Sequence, residues 1–181
     1  MKINNSEIKN SYAEDSLNIV KSNFTIKSSV FINHKSDALD SDFSNGIIEK
    51  VLFKNINGDG LDTSGSEVLI SNSNFESVYD KAISVGEKSF VTIKNVEINN
   101  SGFGFVSKDG SVIEGNDIII LNSKKADMAA YIKKNFYNGG KINVKNILID
   151  SDKIFIQDDS LALIDNKKIE TMKFNSKKKF Y

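Results

Sequence analysis

Six aspartates fall where the chain's repeat brings carboxylates together: Asp37, Asp40, Asp42, Asp59, Asp62 and Asp80. Three lysines follow them, Lys81, Lys88 and Lys108. Two facing carboxylates can hydrolyse a glycosidic bond, at about 5–5.5 Å for retention or about 6.5–9.5 Å for inversion. In that chemistry Asp80 is the acid and Asp59 the base or nucleophile. A lysine of lowered pKa can instead abstract the proton α to a uronate carboxylate, and Lys81, Lys88 and Lys108 are the candidates. The same acids offer oxygens to a hard cation, with Asp40 and Asp62 as ligands and Ca²⁺ as the ion. The other readings require no cofactor. Asp37, Asp62, Ser84 and Glu87 line this face as substrate-binding groups. Each assignment has a structural counterpart. Lys81 also suits a plain salt bridge to Asp59, which would depress that carboxyl's pKa. Glu87 can pair Lys88 or Lys108, Lys50 and Lys54 can neutralise the aspartates, and turns favour Asp.

A second group lies further on. Tyr131, Lys133 and Lys134, with Lys124, Lys125, Phe136 and Tyr137 nearby, combine aromatic faces for stacking on sugars with ammonium groups for glycan carboxylates. The alternative is a solvated loop. His34 is the single histidine, so no His-based metal cluster or triad can be built. Its neighbours Asn33 and Lys35 suggest a solvated loop. Formal net charge is zero, which predicts no nucleic-acid partner. Cys, Pro and Trp are absent, and no Arg occurs, so no disulfide forms and no guanidinium is present to hold a carboxylate. Gly102-Phe103-Gly104 lacks the strand-to-helix context of a nucleotide site. No apolar run approaches the length of a membrane span, and the first residues show no signal-peptide h-region. The chain reads as cytoplasmic or, as part of a larger exported protein, as extracellular or on the cell surface.

The elements that must position these residues follow from a repeat. Leu39, Leu61, Ile83 and Phe105 recur every 22 residues. Period-2 alternation with glycine-marked turns favours β-strands over helix. A repeat of this length predicts a solenoid, with residues one repeat apart stacked about 4.8 Å from each other. Leu39, Leu61, Ile83 and Phe105 should point inward, together with Ser41, Thr63, Val85 and Ser107. Asp40, Asp62, Ser84 and Val106 should point outward. Asn72, Asn95, Asn116 and Asn146 recur after the second strand as a buried ladder. Residues 1–15 are expected to cap the N-terminal end, 16–165 to form the coils, and 166–181 to be a Lys-rich tail, frayed or lying across the end. Lys177, Lys178 and Lys179 read as disordered. Residues 133–140 should protrude from a longer repeat.

Gly-Asp-Gly-Leu-Asp-Thr-Ser-Gly-Ser (58–66), Asp-Lys-Ala-Ile-Ser-Val-Gly-Glu-Lys-Ser (80–89) and Ser-Lys-Asp-Gly-Ser (107–111) carry a resemblance. Over roughly residues 16–165 the chain resembles the right-handed parallel β-helix superfamily, the pectate-lyase-like proteins, and within it bacterial right-handed β-helix repeat proteins. The resemblance implies an all-β, single-stranded right-handed parallel β-helix of six or seven coils, roughly 30 Å long. Asn57-Gly58-Asp59-Gly60 is similar to the first motif of polygalacturonase-type glycoside hydrolases, and Asp80 falls where their Asp-Asp pair begins. Lys81 replaces the second Asp, and Gly102-Phe103-Gly104 stands where their Gly-His-Gly would. The function implied is a carbohydrate-directed module that binds an acidic polysaccharide, or cleaves it as a lyase or hydrolase. The alternative is a non-catalytic structural or surface-interaction solenoid.

Overall fold

The computed structural model describes residues 1–151 and 153–181. Successive coils pair in parallel and in register with the repeat. Leu39 lies beside Leu61, Leu61 beside Ile83, Ile83 beside Phe105 and Phe105 beside Met128. The first coil holds β1 (Lys2–Asn4), β2 (Glu7–Lys9) and β3 (Asn18–Val20). The second holds β4 (Asn23–Lys27), β5 (Val30–His34) and β6 (Leu39–Asp42), and the third β7 (Asn45–Glu49), β8 (Leu52–Ile56) and β9 (Leu61–Ser64). From the fourth coil on, the first two strands merge around their corner. They give β10 (Glu67–Val78) then β11 (Lys81–Gly86), β12 (Phe90–Asn99) then β13 (Phe103–Lys108), β14 (Val112–Leu121) then β15 (Ala126–Tyr131), and β16 (Lys141–Ile149) then β17 (Ile154–Ile156). β18 (Leu161–Ile164) is followed by β19 (Lys167–Lys168), antiparallel to it, and by a five-residue helix, α1 (Ser176–Phe180).

The product is an all-β parallel solenoid of about seven turns. β3, β6, β9, β11, β13, β15 and β17 form one seven-stranded sheet, and the other strands form a twelve-stranded sheet folded around the remaining sides. The inward columns are apolar. Leu39, Leu61, Ile83 and Phe105 are fully buried, as are Ser41, Thr63, Val85 and Ser107. Phe31, Phe53 and Phe75 stack face to face down a second column, with centroids 5.0 and 4.6 Å apart.

Stacking also sets how polar groups are satisfied. At one corner the Ser44 hydroxyl accepts the Ser22 N–H, Ser66 accepts from Ser44, Ser89 from Ser66 and Ser111 from Ser89, at 2.9–3.2 Å. Each serine thus satisfies a donor that the bend removes from the strand ladder. Other corners turn through left-handed backbone, which Asn and Asp tolerate. Asn72, Asn95, Asp117 and Asn146 all have φ between 49° and 58°. Asn95 donates to Asn72 at 2.8 Å, and Asn146 donates to Asp117 at 2.5 Å. This corrects the expected ladder in two respects. Its third member is Asp117 rather than Asn116, because β14 pairs Asn116 with Lys94 and Ile118 with Val96. The ladder is also exposed, since a left-handed corner throws its side chain outward. Gly65 holds a similar corner at φ 59°, where a Cβ would press into the Phe43 ring.

Three further expectations change. His34 is buried at the end of β5, where its Nδ1 meets the Ser16 hydroxyl at 2.6 Å and its Nε2 meets the Ile8 carbonyl at 3.1 Å. The N-terminal segment, expected as a cap, supplies β1 and β2 of the first coil. Lys177–Lys179, expected as disordered, lie in α1, capped by the Asn175 side chain accepting from the Lys178 N–H. Phe53 sits between two rings with no exposed surface. Phe53→Ala should therefore cost about 3–5 kcal/mol of stability in urea unfolding; a loss under 1 kcal/mol would show that this column is not part of the cooperative core.

Candidate functional site

The outward face of the seven-stranded sheet carries the charges. Register arranges it in three columns running along the solenoid. One contains Asn18, Asp40, Asp62, Ser84, Val106, Ala129 and Phe155. A second starts at the Asp15–Asp37 bridge, continues through Asp59 and Lys81, and ends in Phe103 and Ala126. The third passes from Val20 and Asp42 through Ser64 and Gly86 to Lys108 and Tyr131. The face therefore changes from acidic in the early coils, through buried lysines, to apolar in the late coils.

At the junction Asp37, Asp59 and Asp62 each offer an oxygen, all within 4.8 Å of one another. Asp59 is 5% exposed and Lys81 3%. Asp37 accepts the Asp59 N–H at 2.7 Å, and Asp59 accepts the Lys81 N–H at 2.9 Å, so the carboxylates serve the inter-coil ladder. Lys81 Nζ lies 3.2 Å from Asp59 and 2.5 Å from Asp80. Lys108 Nζ donates to the Ser84 hydroxyl at 2.8 Å and lies 3.5 Å from Asp62. Lys125 approaches Asp80 from outside at 3.5 Å.

The protonation states follow from this packing. Burial pushes the Asp37 carboxyl up against its backbone hydrogen bond. Burial, then Asp42, Asp62 and Asp15, push Asp40 up to about 7. Burial also raises Asp59, against the pull of Lys81. For Asp80 burial is outweighed by Lys81 and Lys125, which hold it below the usual range. Burial opposes the charge on Lys81 and Lys108, but Asp59 and Asp80 around one and Asp62 and Asp59 around the other outweigh it and raise both. A proton-abstracting lysine needs the opposite shift. Asp59 and Asp80 both contact one ammonium, so the position between the two carboxylates is filled by Lys81.

The apolar end of the face is covered. Phe103, Val106, Ala126, Ala129 and Tyr131 pack with Phe155 of β17 and with Phe174 and Phe180 of the folded-back tail. Phe180 meets Phe103 edge-on at 5.1 Å. The Ser176 hydroxyl donates to the Ile132 carbonyl at 2.6 Å. Ser84 and Val106 consequently point outward yet are buried, by Lys108 and by this cluster respectively. Tyr131, expected as an exposed sugar-stacking ring, is fully buried, with its hydroxyl 2.9 Å from that of Tyr181. Tyr181 itself is exposed, as is Phe136 further along the chain from Tyr131.

The remaining candidates sit apart from the junction. Lys88 is exposed at a corner with φ 64° and lies over the Tyr137 ring at 5.9 Å. Glu87 pairs with Lys134 rather than with Lys88 or Lys108. Lys133 Nζ stands 4.7 Å from the Tyr181 ring, which also lies 5.4 Å from Lys81 Nζ. For a cation, Asp62 groups with Asp37 and Asp59, with Asp40 beside that group rather than in it. The set suits a hard ion in ligand type, with Lys81 and Lys108 competing for oxygens of Asp59 and Asp62. Tyr181 is the site neighbour missed at the sequence level; it is remote in the chain and no repeat position marks it.

No family model and no curated relative matches the chain. Among solved structures the chain is similar to QnrB1, a plasmid-mediated fluoroquinolone resistance protein, at 11% identity over 84% of this chain and 92% of that one. The TM-score is 0.16, too low for the likeness to carry an argument.

Lys81→Met would leave Asp59 buried without its cation. It should destabilise by about 3–5 kcal/mol at neutral pH, and by less near pH 4, where Asp59 binds a proton; equal losses at both values would contradict the ion lock. Asp40 gives a pH dependence of its own. Its folded pKa of about 7 exceeds the ordinary 3.8, so the folded state binds more protons and its stability falls as pH rises from about 4 to about 7. Asp40→Asn should raise Tm at pH 8 and change it little below pH 4; an equal shift at both would contradict this.

Proposed function

We propose that the protein is a carbohydrate-directed module that binds an acidic polysaccharide on the charged face of its solenoid and does not cleave it. The observation that carries this reading is the convergence of Asp37, Asp59 and Asp62 beside Lys81 and Lys108. The half-buried carboxylates of Asp37 and Asp62 can accept hydrogen bonds from glycan hydroxyls, and Lys125 at the rim offers an ammonium. The early coils add Asp15, Asp40 and Asp42 to the same face, so a polyanion approaches it with a divalent cation between. Ca²⁺ held by oxygens of Asp37, Asp59 and Asp62 would supply that bridge and offset the like-charge repulsion that adds to burial in raising Asp37, Asp40 and Asp59. The raised lysine pKa values and the filling of the Asp59–Asp80 gap support binding over turnover. The resemblance to pectate-lyase-like proteins supports the glycan class by analogy of fold.

A second reading, a purely structural or surface-interaction solenoid, is favoured by the engagement of both Lys81 and Lys108 in buried ion pairs. Calorimetry against uronate-containing polysaccharides, in Ca²⁺ and in chelator, separates the two. The binding module predicts saturable, Ca²⁺-dependent binding. Asp37→Asn with Asp62→Asn should weaken it about tenfold or more, and neither unsaturated ends nor new reducing ends should accumulate. Absence of binding to every polysaccharide in both conditions would favour the structural reading.

A further inference from the structure

The first coil leaves three strand edges open. Among the described residues β1, β2 and β3 each pair on one side only, with β4, β5 and β6. The opposite end is closed by β19 folding onto β18 and by the bridge from Gln157 to Met172. On either side of β2 the Ser6 carbonyl accepts the Val30 N–H at 2.9 Å, and the Asn10 N–H donates to the Ile32 carbonyl at 3.0 Å. Alternation then turns the main-chain groups of Ser6, Ile8 and Asn10 toward β5 and those of Glu7 and Lys9 away from it. Both outward residues present an N–H and a C=O along an open edge, which is a template for another chain. Ile8 heads the column of Phe31, Phe53 and Phe75. With Ile3 and Leu17 it is only partly buried against the core.

We propose that this edge is a head-to-head interface with a second copy of the chain, on a two-fold axis through Ile8. β2 then runs antiparallel to the partner's β2, with Glu7 opposite the partner's Lys9 and Lys9 opposite the partner's Glu7. The residues whose main-chain groups face outward fall in the hydrogen-bonded pairs, and Ile8 faces its own copy between them. Both flanking pairs join opposite charges. The sequence Glu-Ile-Lys is self-complementary in this antiparallel register, as an isologous interface requires. In the single chain Glu7 and Lys9 already pair with each other at 3.0 Å, both side chains more than half exposed. Association therefore exchanges one ion-pair partner for another and strands no charge. It also covers the open tops of Ile3, Ile8 and Leu17.

Sedimentation equilibrium of the full chain tests the interface. The expected mass rises with concentration toward twice 20.1 kDa. Lys9→Glu and Glu7→Lys each set like charges opposite one another and should weaken association about tenfold. The double variant Glu7→Lys with Lys9→Glu restores opposite charges and should recover it. Both positions are exposed, and a thermal melt of each variant checks that the coil remains folded. A chain monomeric at every concentration overturns the proposal. So does a dimer indifferent to the single reversals, or one that the double variant fails to recover.

Discussion

Every inner coil of this protein must hydrogen-bond to the coil before it and the coil after it at matching positions. That constraint fixes the residue count per turn to 22 or 23 through most of the chain and lets extra residues enter only at corners. The exposed excursion around Phe136 is such an entry, and the ladder resumes beyond it with Lys141 beside Val112. Because equivalent residues stack, each column repeats one chemical problem and tends to repeat one solution. The serine corner, the left-handed Asn corner and the stacked phenylalanines are three of these.

Stacking becomes costly when the column is charged. Asp37 under Asp59 and Asp40 beside Asp62 place like charges one coil apart, which is unfavourable. The next coils answer with Lys81 and Lys108, whose ammonium groups reach back to Asp59 and Asp62. Removing these charges from water is expensive and is balanced only by close partners. The lysines thus have a structural task that the aspartate columns impose, and that task keeps them protonated. The aromatic tail then seals the late coils, leaving the early acidic coils as the open part of the face.

The inward columns were readable from sequence because a half-buried strand alternates with period two and the repeat is constant. The acidic face was readable for the same reason: Asp40 and Asp62 are one repeat apart. What escaped depended on contacts without a repeat. Ser84, Val106 and Tyr131 point outward by register, but their covers come from Lys108 and from residues as distant as Phe180. His34 has loop-like neighbours, yet its partners Ser16 and Ile8 lie on the preceding coil. The shift from Asn116 to Asp117 follows from a one-residue difference between turns, which spacing alone does not resolve. The serine corner did carry a periodic signal, at Ser44, Ser66, Ser89 and Ser111.

The central claim is that the junction of the charged face is a locked ion network rather than a proton-transfer site. Titration of the Lys81 and Lys108 ammonium groups by NMR, through their side-chain ¹H–¹⁵N and adjacent CH₂ signals, tests it most directly. The account predicts that both remain protonated above the ordinary lysine value of 10.5. A titration of either group well below that value would contradict it and return a lysine base to the mechanism.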